Sequence, residues 1–351
     1  MLKNTFLTLF FAFTFIQCQS GESHSTNDVT PIQDSISDNS VPEVQKEVTA
    51  GSARFEEYLP LLEGKTIAMV VNPTSEINGE HLVDILLKKG ISIKKIFAPE
   101  HGFRGKADAG AIIKDGKDIK TGLPIKSLYG KNKKPTAADL KGIDYVIFDI
   151  QDVGARFYTY ISTMHYIMEA CAENKKSVIV LDRPNPNGHY VDGPILEMKH
   201  SSFVGKHPVP LVYGMTIGEY GQMINGEKWL KNKVQCDLTV IPLENYTYKS
   251  RYSLPIKPSP NLPNDKSINL YPSLGFFEGT NINAGRGTNI QFQIYGAPFF
   301  KKTDFSYTPK ANEGAKYPKH KNKLCYGIDL RTTKHLSKID LSFLIDAYQR
   351  S

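Results

Sequence analysis

The stretch Ile91-Ser92-Ile93-Lys94-Lys95-Ile96-Phe97-Ala98-Pro99-Glu100-His101-Gly102 indicates how this chain folds. Its apolar run predicts a buried strand over 91–97, and that run ends abruptly in proline, glutamate, histidine and glycine. In open α/β sheets, ligands bind just beyond the carboxyl ends of the strands. A carboxylate and an imidazole placed there can exchange protons with a substrate. We therefore expect a functional site at Glu100 and His101.

The same pattern, a buried run followed by polar residues, occurs twice more. Residues 145–150 lead into Gln151-Asp152-Val153-Gly154-Ala155-Arg156, and residues 178–181 lead into Asp182-Arg183-Pro184-Asn185. The carboxyl ends of parallel strands meet at one edge of a sheet, so these carboxylates and arginines should lie near one another. The three strand ends together predict a polar pocket.

Strand and helix patterns alternate along the first part of the chain. Strands are predicted over 66–71, 91–97, 144–150 and 177–181, and helices over 81–89 and 155–174. This alternation predicts an α/β fold, in which a mostly parallel sheet has helices on both faces. No Gly-x-Gly-x-x-Gly follows a strand, so a nucleotide-binding site of the dinucleotide type is not supported.

The pattern of the chain changes after about residue 207. A helix is predicted over 216–230, with Thr216 as N-cap and Glu219 at its third position, and a strand over 238–243. Residues 251–298 are rich in proline, glycine, asparagine and tyrosine. We therefore expect a first domain over 55–206 and a second, smaller α+β domain over 207–351, with loops that close over the first.

Composition and charge limit the classes of partner. The chain has 351 residues, a net charge of +7 and 23% charged residues, which is ordinary for a soluble globular protein. Residues 1–54 hold more acidic than basic side chains, so the remainder is the more basic part and favours an anionic partner. A solvated, lysine-rich surface is the plainer explanation. No regular basic stripe with interleaved aromatic residues is present, so nucleic acid is not expected as a partner.

The N-terminus has the pattern of a secretion signal. Lys3 supplies the positive charge, and the apolar segment over 5–16 is too short for a membrane-spanning helix. Cys18 directly after it resembles a lipoprotein processing site, so we expect a signal peptide over 1–18 and lipidation of Cys18. Residues 19–54 lack periodicity and should form a disordered tether. The expected location is exported, as a periplasmic or outer-membrane lipoprotein of a bacterium held by its lipid anchor; an ordinary cleaved signal is the alternative.

The remaining cysteines do not form a recognisable framework. Cys171, Cys236 and Cys325 are widely spaced, and the chain contains neither Cys-x-x-Cys nor His-Glu-x-x-His. We expect no disulfide scaffold, no metal site and no cofactor. Cys171 should lie on the core face of a helix, where a free thiol behaves as a small hydrophobic group.

Carboxylates dominate the candidate catalytic residues, which suits glycosidic chemistry, where a carboxylic acid protonates the leaving oxygen. Glu100 is the first candidate for this acid, and an ion pair with Arg104 is its structural alternative. His101 could orient Glu100, contact a sugar hydroxyl or be purely structural. Asp149 and Asp152 could flank one ligand, although aspartate at such a position also commonly caps a helix.

Further polar residues could bind the substrate. They are Arg104, Arg156, Tyr158, Asp182, Arg183, Asn185, Glu219, Glu278, Asn281 and Arg286. An inward-facing Arg156 could hold an anionic group with two hydrogen bonds, and Asp182 could pair with Arg183. Around Glu278 and Arg286, glycines would allow the backbone to approach a ligand closely, although a loop with no ligand explains the same residues equally well.

Five ordered motifs resemble those of the exo-β-N-acetylmuramidases of the NamZ type. They are Pro99-Glu100-His101-Gly102-Phe103-Arg104-Gly105, the segment 149–160, the segment 182–188, Tyr213-Gly214-Met215-Thr216 with Gly218-Glu219, and Phe277-Glu278-Gly279-Thr280-Asn281 with Gly285-Arg286-Gly287-Thr288. The resemblance covers roughly residues 55–300. It implies a Rossmann-like domain, a smaller companion domain and an active site in the cleft between them.

The resemblance also implies an activity, the release of terminal N-acetylmuramic acid from the non-reducing end of peptidoglycan fragments. If it holds, Glu100 is the general acid. The second catalytic group stays open among Asp149, Asp152, Glu219 and Glu278, or the acetamido group of the substrate itself. Arg156, Arg183 and Arg286 are the candidates to hold the lactyl carboxylate of muramic acid.

The chain departs from this family in three respects. Asn289-Ile290-Gln291-Phe292 stands where family members usually have an acidic residue and a proline, and Phe299 stands where a tryptophan is common. The chain also stops at Ser351, within an apparent helix over 341–348, whereas family members usually continue. A truncated smaller domain is therefore left open.

Two other classes of protein compete with this interpretation. A periplasmic sugar-binding lipoprotein could hold muropeptides in the same cleft without cleaving them. A metal-dependent hydrolase could use His101, Asp149 and Asp152, although their spacing does not resemble a zinc ligand set.

Overall fold

A seven-stranded sheet forms the centre of the protein. The computed structural model describes residues 47–104 and 115–351, which belong to one unit over Gln45–Ser351. In chain order, the strands of this sheet are β1 (Thr66–Val71), β4 (Ser92–Ala98), β5 (Gly116–Lys117), β6 (Pro124–Ser127), β7 (Tyr145–Asp149), β8 (Ser177–Leu181) and β9 (Asp237–Ile241). Their spatial order is β5-β6-β4-β1-β7-β8-β9, and only the β5–β6 pair is antiparallel. The predicted α/β fold with a mostly parallel sheet is confirmed.

The remaining elements surround or extend this sheet. The helices are α1 (Phe55–Leu62), α2 (Leu82–Lys88), α3 (Tyr160–Glu173), α4 (Ile217–Gly226), α5 (Asp265–Leu274) and α6 (Ser342–Gln349). A second, antiparallel sheet has the order β10-β12-β11 and contains β10 (Ile294–Ala297), β11 (Phe305–Tyr307) and β12 (Cys325–Asp329). A short hairpin pairs β2 (Glu76–Ile77) with β3 (Glu80–His81).

The alternation of side chains along β1 shows how both faces of the large sheet are covered. Ile67, Met69 and Val71 face a cluster with residues of α1 and α2. Ala68 and Val70 face the other cluster, which contains α3, α4 and α5. Because neither face meets water, the strands read as continuous apolar runs. The second cluster also includes Phe277, Phe292 and Tyr295, so the smaller sheet shares a core with the large one.

Two predicted boundaries of the domains change. The strand predicted over 238–243 was assigned to the smaller domain, but β9 is the edge strand of the large sheet and runs parallel to β8. The tether was predicted to reach residue 54, but Thr49 pairs with Glu244 and the Gly51 amide donates to the Asp182 carbonyl at 2.9 Å. A Cβ on Gly51 would lie 2.3 Å from the Ile241 carbonyl oxygen, so this close approach needs glycine.

Helix α3 begins later than its sequence pattern predicts. The helix was expected from 155, but Ala155 bridges to Val212 and α3 starts at Tyr160. This pairing and the positive φ of Gly154 (75°) keep the chain non-helical after β7. The predicted capping box of Thr216 and Glu219 is present at α4.

The expectations for the signal peptide, Cys18 and most of the tether lie outside the described residues, as does Gly105 of the first motif. Within the described ranges, no helix is long and apolar enough to cross a membrane.

Candidate active site

Four neighbouring strands deliver polar residues to one edge of the large sheet. Asn72, Pro73 and Thr74 follow β1, Glu100 follows β4, the segment 149–152 closes β7, and Asp182 follows β8. The spatial order β4-β1-β7-β8 makes these strands adjacent. The predicted grouping of polar residues at the carboxyl ends of the strands is therefore present in the fold.

The Glu100 carboxylate is held between two hydroxyl groups. Tyr129 donates to Oε1 at 3.0 Å, and Thr159 donates to Oε2 at 2.8 Å. The Tyr160 hydroxyl lies 3.4 Å from the Glu100 backbone carbonyl. The last residue before α3 and the first residue of α3 therefore both contact the Glu100 loop. Glu100 itself is half-buried. The side chain is thus oriented from two directions and still reaches the surface of the site.

A pocket of about 360 Å³ opens at the sheet edge, where the residue after Glu100 is part of its lining. Pro73, Thr74, His101 and Arg104 line it from the sheet edge, and the segment 256–260 lines it from the other side together with Glu313. His101 is buried and has a φ of 70°, a left-handed conformation that turns the chain directly after Glu100. A volume of this size falls in the range of small-ligand pockets.

Three tyrosines connect Glu100 with Asp152. The Tyr160 and Tyr158 rings are 5.0 Å apart, and the Tyr158 and Tyr271 rings are 6.0 Å apart. Burial raises the pKa of all three hydroxyls, and the charges of Glu100 and Asp152 raise each of them further. The two carboxylates therefore act on the same tyrosine cluster. Tyr158 donates to the Pro258 carbonyl at 2.7 Å, which ties the segment 256–260 to the cluster.

Asp152 is buried, with 5% of its surface exposed, and only one of its oxygens is satisfied. Oδ2 accepts hydrogen bonds from the Tyr213 hydroxyl and, at 2.7 Å, from the Gly154 amide. Oδ1 has no hydrogen-bond partner in the described part of the chain. Burial raises the pKa of Asp152 to about 6, although the Tyr213 hydroxyl and the Gly154 and Val153 amides lower it. An under-satisfied buried carboxyl group is costly, and such groups occur at functional sites.

Asp149 and Arg183 form a buried pair. Arg183 Nε donates to Oδ1 at 2.6 Å and Nη2 donates to Oδ2 at 2.9 Å, and Asp149 is fully buried. This two-pronged contact occupies both oxygens of Asp149. The structure thus couples two predicted site residues to each other beneath the strand ends.

Asp182 and Glu219 are both occupied at the start of α4. Asp182 accepts from the Gly218 amide at 2.7 Å, the Arg183 amide at 2.9 Å and the Thr216 hydroxyl at 2.8 Å. Burial raises the pKa of Asp182 to about 6. Glu219 accepts from the Thr216 amide at 2.8 Å and from the Tyr248 hydroxyl at 2.5 Å. These contacts join β8 to α4 and give both carboxylates a structural task.

Arg104, Arg156 and Asn185 also have protein partners. Arg104 pairs with Asp84 at 2.6 Å and with Asp118 at 3.2 Å. The sequence had suggested an ion pair between Arg104 and Glu100 as the structural alternative to a catalytic Glu100. Arg156 donates to the carbonyls of residues 194 and 209, at 2.7 and 2.5 Å. Asn185 donates to the Met215 carbonyl at 2.8 Å. Each contact fixes a loop around the site.

The cluster of Glu278 and Arg286 lies on the side of the smaller sheet. Arg286 contacts Glu278 at 2.9 Å and lies over the Phe292 ring at 5.2 Å from its centre. Phe292 in turn packs edge-on against Tyr271, with their ring centres 4.8 Å apart. Burial raises the pKa of Tyr271, and the positive charge of Arg286 partly opposes this effect. Asn281 is exposed beside this cluster. Tyr271 therefore lies between the Arg286 cluster and the two carboxylates.

Several residues at the site carried no distinct signal in the sequence. Tyr129 lies in the long loop region after Arg104, and its contact with Glu100 depends on β6 pairing with β4. Thr159 was inside a recognised motif and Tyr271 was in the segment rich in proline, glycine, asparagine and tyrosine, but nothing local distinguished either residue from its neighbours. The segment 256–260 is identifiable only from its position over the pocket.

The next features are the cysteines and the possibility of a metal site. Cys171, Cys236 and Cys325 are free and buried, and Cys171 lies in α3 as predicted. Among the described residues, no three histidine, cysteine, aspartate or glutamate side chains are placed to share a metal ion.

Comparison with known proteins identifies relatives over nearly the whole described chain. A family model described as "Exo-beta-N-acetylmuramidase NamZ, N-terminal" matches residues 67–266, and its C-terminal counterpart matches residues 269–350. The peptidoglycan β-N-acetylmuramidase NamZ of Bacillus subtilis (strain 168) is 43% identical over 310 residues, which cover 83% of this chain and 73% of that protein.

Two crystal structures from Bacteroides fragilis NCTC 9343 share this fold. Both are of DUF1343 family proteins. The first has a TM-score of 0.80 and 48% identity, and covers 87% of this chain and 84% of that one. The second has a TM-score of 0.75 and 32% identity, with coverage of 88% and 83%.

Proposed function

Because this chain belongs to the NamZ family of exo-β-N-acetylmuramidases, as its five motifs indicated, we propose that it is a glycoside hydrolase that releases terminal N-acetylmuramic acid from peptidoglycan fragments. The observation that carries this proposal within the structure is Glu100, whose carboxylate is held by Tyr129 and Thr159. The next residue, His101, lines a pocket at the sheet edge. The muramic acid would occupy this pocket with its non-reducing end innermost.

Glu100 is the proposed general acid. Cleavage of a glycosidic bond needs a proton on the leaving oxygen as the bond to the sugar carbon breaks. The two hydroxyl donors fix the position of the carboxyl group. A catalytic group that is already oriented reduces the entropic cost of reaching the reactive geometry. His101 lines the same pocket and is proposed to contact the substrate rather than to transfer the proton.

Asp152 is the proposed second carboxyl group. The other candidates have both oxygens engaged or point elsewhere: Asp149 is bound to Arg183, Glu219 completes the cap of α4, and Glu278 is exposed beside Arg286. Within the described part of the chain, Oδ1 of Asp152 has no hydrogen-bond partner, and Asp152 acts on the same tyrosines as Glu100. It could activate water, or it could hold the acetamido N–H of the substrate so that this group attacks instead.

Arg286 is the proposed partner of the lactyl carboxylate. Arg104 and Arg183 are bound to aspartates, and Arg156 is bound to two backbone carbonyls. Arg286 is half-buried and paired with Glu278, whose carboxylate is exposed and can be exchanged for a substrate carboxylate. The exposed Lys257 at the pocket is a second cation available for the same group.

We also propose that the protein is exported and anchored by a lipid on Cys18. The support is the N-terminal sequence pattern alone. Cys18→Ala should move the protein from the membrane fraction to the soluble fraction of the producing cell. Retention of the variant in the membrane fraction would argue against the anchor.

The first experiment compares a chromogenic β-N-acetylmuramide with the matching β-N-acetylglucosaminide. Release from the muramide by the wild type is expected, and Glu100→Gln should lower kcat by about 10²- to 10⁴-fold while keeping the melting temperature. A folded wild type that binds the muramide and never cleaves it would support the binding-protein alternative instead.

A further inference from the structure

A second pocket lies on the outer side of α3, away from the candidate catalytic residues. Its volume is about 370 Å³, and its lining comes from α3, from the segment 198–207 and from Trp229 with Lys231. None of the proposed catalytic or sugar-binding residues lines it. The pocket has the size of a small-ligand site, and its lining combines aromatic, histidine and lysine side chains.

A row of aromatic rings connects this pocket with Glu100. Tyr129, which donates to Glu100, lies 6.4 Å from Phe203, and Phe203 stacks on Tyr166 at 6.3 Å with an angle of 15°. Tyr166 lines the pocket. Thr159, the other donor to Glu100, and Tyr166 are separated by seven residues, or about 10 Å along a helix. The pocket is therefore too far from Glu100 for the sugar that is cleaved, but close enough for the adjoining part of a longer substrate.

Lysines without carboxylate partners lie along this row. Lys133 is over the Phe203 ring at 4.3 Å, and Lys206 is over the Tyr166 ring at 4.6 Å and donates to its hydroxyl at 3.1 Å. Among the described residues, neither lysine has a carboxylate within ion-pair distance. Glu169, which lines the pocket, is already engaged by Lys134 at 2.6 Å. Lys134 also contacts Glu173 at 2.7 Å, so two carboxylates share one lysine beside the pocket. Along the row itself, within the described residues, Lys133 and Lys206 form no ion pair and keep their positive charge.

The inner wall of the pocket contains a pair of histidines, one of which lies 3.4 Å from the Glu169 carboxylate. His165 Nδ1 lies 2.9 Å from His207 Nε2, and His207 Nδ1 lies 3.1 Å from the Tyr220 hydroxyl. Burial lowers the pKa of His165 to about 4 and that of His207 to about 2, so both are neutral near pH 7. His207 stacks on Trp229 at 4.9 Å. The histidine pair thus fixes the indole plane, which suits packing against the flat face of a sugar ring.

We propose that this pocket and the row of Tyr129, Phe203 and Tyr166 bind the carboxylate-bearing part of a longer peptidoglycan fragment, beyond the bond that is cleaved. The inference rests on the proposed exo-muramidase function. In an exo-acting enzyme the substrate extends only on the leaving side, which is the side of the general acid. The next carboxylates there are the lactyl group of the following muramic acid or its stem peptide, and Lys206 is placed to receive either.

The kinetic test uses three substrates: the chromogenic muramide, a peptide-free glycan fragment with a second muramic acid, and the same fragment carrying stem peptides. Lys206→Gln should raise the KM of the long fragments relative to that of the chromogenic muramide by about tenfold, with kcat unchanged. Lys231→Gln added to it should increase the ratio further. Lys199→Gln is the matched control, since Lys199 lies on the same segment and pairs with Glu197.

The outcomes are separable. The stem peptide is joined to the lactyl carboxyl group by an amide bond, so a peptide-bearing muramic acid has no free lactyl carboxylate. A raised ratio only for the peptide-free fragment therefore assigns the lactyl carboxylate, and a raised ratio only for the peptide-bearing fragment assigns a carboxylate of the peptide. A raised ratio for both fragments shows that the site receives either carboxylate. An unchanged ratio, or an equal effect of Lys199→Gln, would overturn the proposal. Failure of the wild type to cleave the chromogenic muramide would instead remove the proposed function.

A binding measurement provides a readout that is independent of turnover. Trp229 is the single tryptophan of the chain. Titration of folded Glu100→Gln with the long fragments should change its fluorescence, and the chromogenic muramide at saturation should not. Lys206→Gln in the same background should weaken this signal by about tenfold in Kd. Equal fluorescence changes with the short and the long ligands would contradict binding at the pocket.

Discussion

Arg183 contacts both oxygens of Asp149, at 2.6 and 2.9 Å, beneath the floor of the site. Both residues are buried, and each was expected from the sequence to act on a substrate. The pair links the ends of β7 and β8, the two strands that lead to Asp152 and Asp182. Its contribution is to hold the strand ends in place.

Asp149→Leu should therefore lower stability before it affects chemistry. The substitution leaves the Arg183 charge buried without a partner, and breaking such pairs costs about 3–5 kcal/mol of unfolding free energy. Urea unfolding measures this loss. Arg183→Met added to Asp149→Leu should recover part of it, because the double variant contains no buried charge. Lys88→Gln, which breaks the exposed pair with Glu80, should leave the midpoint unchanged. A stable Asp149→Leu without activity would assign Asp149 a direct role instead.

Tyr129→Phe and Thr159→Val should each lower kcat by about tenfold without altering the melting temperature. Each removes one hydroxyl that orients the Glu100 carboxylate and leaves the ring or the branched side chain in place. Steady-state rates on the chromogenic muramide measure the effect. Tyr248→Phe is the matched control, since Tyr248 makes the same kind of contact with Glu219. Equal losses in all three variants would mean that general packing, rather than the orientation of Glu100, explains them.

Asp152→Asn should change how stability depends on pH. Burial raises the native pKa of Asp152 from 3.8 to about 6, so the protonated native state contributes stability below pH 4 that is lost as pH rises through 6. The full effect is about 3 kcal/mol. The asparagine of the variant does not ionise. In urea unfolding, the stability of the variant should therefore increase relative to that of the wild type between pH 4 and 7.

The control for this titration has the opposite sign. The hydrogen bond from Lys126 lowers the pKa of Asp115 below 3.8, so Asp115→Asn should lose stability relative to the wild type as pH rises toward 4. Between pH 4 and 7 the two curves should run parallel, since Asp115 is ionised in both the folded and the unfolded wild type. If the unfolding free energies of the wild type and Asp152→Asn change in parallel from pH 4 to 7, the pKa of Asp152 is not raised. If Asp152 is the second catalytic group, its variant should also lose at least about 10²-fold in kcat.

Arg286→Lys should weaken the discrimination between muramide and glucosaminide. A lysine keeps the charge but cannot hold a carboxylate with two parallel hydrogen bonds, so the KM for the muramide should rise about tenfold. The KM for the glucosaminide, which lacks the lactyl group, should stay the same. Arg331→Lys at the exposed pair with Asp329 should change neither value. A parallel rise for both substrates would indicate a role of Arg286 in the loop rather than in recognition.

The sequence by itself determined the framework of the site. Continuous apolar runs such as Thr66–Val71 are typical of strands with both faces covered, and in a parallel sheet the polar residues that follow such runs lie at its carboxyl edge. The cap formed by Thr216 and Glu219 was also readable, because its hydrogen bonds are local. These features depend on periodicity and on contacts within a few residues.

Only the tertiary structure decided which of the polar residues remain available. Whether Asp149 or Asp152 is free depends on Arg183 and Tyr213, which are 34 and 61 residues away. The sequence likewise did not reveal that Tyr129 reaches Glu100, because that contact requires strand pairing across the sheet. A hydrogen bond depends on distance in space, and the sequence constrains that distance strongly only for near neighbours along the chain.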